Sequence, residues 1–89
     1  MKIDVYDSFA TSNQGRLMHF DVFVESGTSA QQALAYGQQW LLSIGESSAG
    51  LKQSHCNYCH SEAANPEVGH HIKNYGYFIL QMEGCPAPY

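Results

Sequence analysis

Two alternating stretches separated by a short polar turn constrain this chain most. From Lys2 to Phe9 the apolar residues Ile3, Val5 and Phe9 fall on one parity, and from Leu17 to Glu25 the residues Met18, Phe20, Val22 and Val24 fall on the other. A period of two places alternate side chains on opposite faces of a strand. The segment between them, Thr11-Ser-Asn-Gln-Gly15, is rich in residues that tolerate turn geometry, so the pair reads as an antiparallel hairpin. Placing both apolar sets on one core face requires partners such as Ile3 with Val22 and Val5 with Phe20. A turn centred between Ser12 and Asn13 gives that pairing, and one centred between Asn13 and Gln14 satisfies the same parity. Either register leaves Asp4, Tyr6, His19 and Asp21 together on the outer face.

A helix follows. Thr28 and Ser29 precede Gln31 and Gln32 at capping-box spacing, and Ala30, Ala33, Leu34, Gly37, Leu41 and Ile44 recur at helical intervals. The helix is expected from about Ser29 to Ile44, with Gly45 ending it in the left-handed region. Its small residues Ala30, Ala33 and Gly37 would let it lie close to a sheet, with Trp40 packing at the flank. Leu51 to Cys56 suits a short strand. A second helix is signalled by Asn65 as cap, Pro66 at the first helical position and Glu67 in the first turn, and should run to about Asn74. Tyr77, Phe78, Ile79, Leu80 and Met82 are apolar on both sides, as expected of a strand in the middle of a sheet. Gly84, Pro86 and Pro88 then end regular structure.

The order ββαβαβ, without repeat or linker, makes this an α+β chain. The expectation is a single two-layer domain over residues 1–89, ordered to about 85 with a tail at 86–89, in which two helices pack on a mixed four-stranded sheet. Its 89 residues leave room for one domain and a small core. A hydrophobic fraction of 44%, with six Tyr, four Phe and one Trp, excludes the composition that keeps chains disordered. The net charge of −4 and four scattered cations, Lys2, Arg16, Lys52 and Lys73, argue against a nucleic-acid partner, because phosphate binding needs clustered positive charge. Met1 leads into alternating residues rather than an apolar signal region, and no apolar run is long enough to span a bilayer. A cytoplasmic location and no membrane association are the expectations.

Three cysteines, Cys56, Cys59 and Cys85, are an odd number and suit thiols or a metal site better than a disulfide framework. Cys56 and Cys59, two residues apart, can converge on a tetrahedral zinc with Cys85 as third ligand and His60 as fourth; His55, His70 and His71 are the other candidates for that place. Metal binding, with zinc as the cofactor, is therefore the leading functional reading, against the plainer one of cysteines packing as small hydrophobes. Redox use of Cys56 and Cys59 is weakened because the clearest helix start, Asn65, lies six residues beyond Cys59. Haem attachment through Cys56-x-x-Cys59-His60, with Met82 or Met18 as a second axial ligand, would call for export. Glu62 and Glu83 could orient a ligating histidine.

A possible surface site consists of His19, Asp21 and Tyr6, where an Asp beside a His could polarise it for acid-base work. The plainer reading is a solvated face or one covered by a partner chain, such as a homodimer, which Phe23 on the same face would favour. A metal-free interaction domain is thus the alternative to the metal site, and an enzyme ranks third. No phosphate-cradling loop or nucleophile elbow is present.

Gly15-Arg-Leu-Met-His-Phe-Asp-Val-Phe23, Cys56-Asn-Tyr-Cys-His-Ser-Glu62 and Gly76-Tyr-Phe-Ile-Leu-Gln-Met-Glu-Gly-Cys85 together resemble a small bacterial family, the domain-of-unknown-function family numbered twenty twenty-four. The resemblance covers almost the whole chain. It implies a compact α+β domain in which His19, Asp21, Cys56, Cys59, His60, Glu62, Glu83 and Cys85 match recurring motifs, and it brings no mechanism with it. His70 and His71 lie outside those motifs.

Overall fold

A computed structural model describes residues 2–56, 66–82 and 84, with His55 and Cys56 described for their backbone alone. The elements follow the expected order: β1 (Ile3–Thr11), β2 (Leu17–Glu25), α1 (Ala30–Ser43), β3 (Lys52–Cys56), α2 (Pro66–Tyr75) and β4 (Tyr77–Gln81). They form one four-stranded sheet of order β3-β1-β2-β4. Every neighbouring pair is antiparallel, so the sheet is not the mixed one expected. β4, expected in the middle, is an edge strand beside β2. Its double-sided apolar character has another origin, because Tyr77 and Ile79 pack with the α1 core while Phe78 packs with the α2 core. Among the described residues no helix is long and apolar enough to cross a membrane.

The hairpin register also differs from expectation. Ile3 pairs with Glu25, Val5 with Phe23 and Asp7 with Asp21, which centres the turn on Gln14 instead of between two residues. Gly15 at φ +82° supplies the left-handed residue that a three-residue loop requires. Ser12 closes the loop: its N–H donates to Arg16 O at 2.7 Å, and its hydroxyl accepts from the N–H groups of Gln14 and Arg16. A loop of odd length pairs residues of like parity. The even positions Tyr6, Ser8 and Ala10 therefore share a face with Met18, Phe20, Val22 and Val24, and Ile3 and Val5 share the other face with Phe23.

Each face consequently carries one helix, and the two helices lie on opposite sides of the sheet rather than forming one second layer. On the α1 face, Phe20, Met18, Val22 and Val24 pack with Ala33, Trp40 and Leu41. On the other, Ile3, Val5 and Phe23 pack with Val68 and Ile72 of α2. α1 is capped as its sequence indicates: the Ser29 hydroxyl accepts from Gln32 N–H at 3.1 Å. At its other end Gly45 donates to Leu42 O and Glu46 to Leu41 O, the paired bonds of a Schellman ending.

Gly76 joins α2 to β4 at φ +91°, and a Cβ there would collide with the Tyr36 hydroxyl and lie 2.8 Å from its ring carbon. Gly76→Ala should therefore cost more than the ~1 kcal/mol of a simple left-handed penalty, roughly 2–3 kcal/mol in urea unfolding. A change below about 0.5 kcal/mol would show that the α2–β4 junction can swing away from Tyr36.

Candidate functional site

α2 covers only part of its face. Toward the hairpin turn the same face carries Asp7, Phe9, Leu17, His19 and Asp21, with Leu80 opposite Asp21 on β4. Asp7 and Asp21 are direct cross-strand partners, and His19 is two residues from Asp21 on the same side of β2. One ligand atom from each of Asp7, His19 and Asp21 lies within 4.8 Å of the others. His19 Nε2 stands 4.0 Å from Asp21 Oδ1. The imidazole is held flat against Phe9, with ring centroids 4.4 Å apart and planes 9° from parallel.

Asp21 is 4% exposed, and its Oδ1 has no hydrogen-bond partner among the described residues. Like charges directly opposite one another in a sheet repel, and a buried carboxylate loses its hydration. Burial chiefly, then a hydrogen bond with Asp7 and the Asp7 charge, push the Asp21 carboxyl up to about 7. Below about pH 7 the pair thus holds one proton, a role that a metal cation can also fill. Phe9, Leu17, Leu80 and Met82 are all substantially exposed, Phe9 and Leu80 to 40%. Phe9, Leu17 and Leu80 share the site's face and give it an open rim that is apolar apart from the exposed Lys52 opposite Phe9.

The expected surface site thus gains one residue and loses another. His19 and Asp21 are together as expected. Tyr6 is not with them: it pairs with Val22 on the α1 face, is 5% exposed, and donates its hydroxyl proton to Thr28 O at 3.5 Å. Asp4 also lies on that other parity, where it accepts from Ser26 Oγ and Gly27 N–H. Asp7 takes the place assigned to Tyr6. Its signal in the sequence was the Ser12 to Arg16 loop, whose Gly15 in the left-handed region fixes an odd loop length and hence the pairing of Asp7 with Asp21.

Of the expected zinc ligands, Cys59, His60 and Cys85 lie outside the described residues, as do Glu62 and Glu83. The Cys56 backbone pairs with Val5 on β1. Gly84 sits at the other end of the hairpin, where a Cβ would strike Leu17 O. Leu17 pairs with Thr11, so the two levels are six β1 residues apart, about 20 Å at ordinary strand rise. His70 is exposed on α2. His71 Nδ1 lies 2.6 Å from Tyr77 O, an arrangement in which the ring N–H donates to the carbonyl and ties α2 to β4. The backbone of His55 pairs with Tyr6.

A search of curated proteins finds no match. Among solved structures, the NMR structure of protein NE1680 from Nitrosomonas europaea, a structural-genomics target, is similar at 41% identity, over 97% of this chain and 100% of that one, with a TM-score of 0.71. The profile of DUF2024, a domain of unknown function, matches residues 1–82. With that match spanning nearly the full ββαβαβ domain, the chain belongs to the DUF2024 family.

Proposed function

We propose that the domain binds a divalent transition-metal ion through Asp7, His19 and Asp21. The observation that carries this reading is the buried Asp21 oxygen that has no hydrogen-bond partner among the described residues, turned toward His19 and directly across the ladder from a second carboxylate. Buried carboxylates are stable when they are paired or coordinate a metal. Two carboxylate oxygens and one imidazole nitrogen suit zinc, manganese or iron(II). Ligands about 2.1 Å from one ion can be at most ~4.2 Å apart, so the 4.8 Å spread closes with small side-chain rotations. Three protein ligands leave positions open toward the rim, which suits an ion that meets a further ligand better than a closed structural site.

The test is thermal and chemical unfolding at pH 7.5 with Zn²⁺ or Mn²⁺, beside Asp7→Asn, His19→Gln and Cys56→Ser variants. At a hundredfold excess over the dissociation constant, bound metal should stabilise the wild type by about 2.7 kcal/mol. The Asp7 and His19 variants should lose that gain and Cys56→Ser should keep it. Loss in Cys56→Ser alone would return the metal to a Cys56, Cys59, His60 and Cys85 site. No stabilisation by either ion would remove the metal reading.

A further inference from the structure

The opposite face of the sheet carries a second feature, independent of the carboxylates. α1 packs chiefly over β2 and β4, and it reaches the β1–β3 half of that face through side chains such as Gln53. A cavity of about 460 Å³, open to solvent, remains there, lined by Tyr6, Ala30, Gln31, Leu34, Leu51 and Gln53. That volume lies within the range of small-molecule sites.

One polar residue of the lining, Gln53, is held in place, while Gln31 is exposed. Gln53 Nε2 donates to Ala33 O at 3.1 Å, which orients its carboxamide. Gly37, a residue that helices otherwise disfavour, makes room for this arrangement. A Cβ at that position would lie 2.9 Å from Gln53 Nε2 and 2.9 Å from Leu51 Cδ2. With its nitrogen committed to the helix carbonyl, Gln53 retains its Oε1 as an acceptor. Ala30, Leu34 and Leu51 supply apolar walls, Tyr6 an aromatic one, and among the described residues no charged side chain lines it.

We infer that this cavity is a binding site for a small uncharged molecule with an apolar body and an N–H donor group, the chemistry of a primary carboxamide. The donor meets Gln53 Oε1 while the body rests between Leu34 and Leu51. A cavity that simply reflects loose packing would take any apolar molecule of the right size, without regard to donors.

Two neutral probes of similar shape separate these cases. Benzamide carries N–H donors and methyl benzoate has none. Titrated at millimolar concentration into the ¹⁵N-labelled domain, benzamide should shift the amide resonances of Tyr6, Leu34, Leu51 and Gln53, and methyl benzoate should bind at least fivefold more weakly. Gln53→Leu should abolish that preference. Leu34→Trp should fill the space and abolish binding of both probes; Ala30→Trp, at the exposed first helical position, serves if Leu34→Trp does not fold. Shifts that do not cluster at these residues, equal affinity for the two probes in the wild type, or binding that survives a folded filling variant would each overturn the assignment.

Discussion

Asparagine at Asp21 should make the metal-free domain more stable at pH 8, by up to about 4 kcal/mol. An ordinary Asp titrates near 3.8, and burial together with Asp7 raises this one to about 7. Each unit of difference between folded and unfolded states corresponds to about 1.4 kcal/mol. The folded protein holds the proton more tightly than the unfolded chain does. The contribution of the protonated group is therefore fully present below about pH 3.8 and is lost as pH rises through about 7. By pH 8 the wild type carries a desolvated carboxylate opposite Asp7, whereas asparagine never ionises and its amide can donate to the Asp7 carboxylate.

Urea unfolding of the two proteins between pH 4 and 8 measures the difference directly. Their stabilities should nearly coincide at the acid end and diverge progressively between about pH 4 and 7. Parallel profiles would mean that Asp21 is ionised throughout and is compensated by a group outside this cluster. Saturating metal at pH 8 should then raise the wild type toward the variant, because the cation replaces the missing proton.

How much of this is legible in the sequence depends on whether the determinant is local. Ser29, Gly45 and Pro66 act within a turn of their own position, and the helices begin or end where those residues indicate. The alternation of β2 marks its length well, since Met18, Phe20, Val22 and Val24 all enter one core. Register is a property of two strands and a loop, and here one residue of loop length decided it. β1 carries apolar residues on both parities, Ile3 and Val5 against Tyr6 and Ala10, so alternation alone does not say which set pairs with the core set of β2. The consequence reaches the site, because the same slip that moved Tyr6 to the α1 face brought Asp7 opposite Asp21. The apolar character of β4 shows a related ambiguity: cover on both faces leaves the same trace in the sequence whether a strand is central or at an edge.

Phe20→Ala should cost about 3–5 kcal/mol, as expected when a fully buried aromatic side chain is truncated and its cavity only partly collapses. Phe20 is completely buried, and its ring lies 4.6 Å from Trp40 at an angle of 51°. A domain of 89 residues has a total stability of roughly 4–13 kcal/mol, so this single change removes a large share of it. Phe9 provides the contrast, being 40% exposed and stacked on His19 at the rim of the site. Phe9→Ala should cost no more than about 1 kcal/mol and act instead on metal binding, by freeing the imidazole it holds. Trp40 is the chain's one tryptophan and touches Phe20, so its fluorescence reports the unfolding of the α1 core in both variants. At pH 6, where Asp21 retains most of its proton, a loss of less than about 1.5 kcal/mol for Phe20→Ala would count against the α1 face as the main core. A loss for Phe9→Ala equal to that of Phe20→Ala would mean that the site's face is as tightly covered as the core, leaving no open rim for a metal to use.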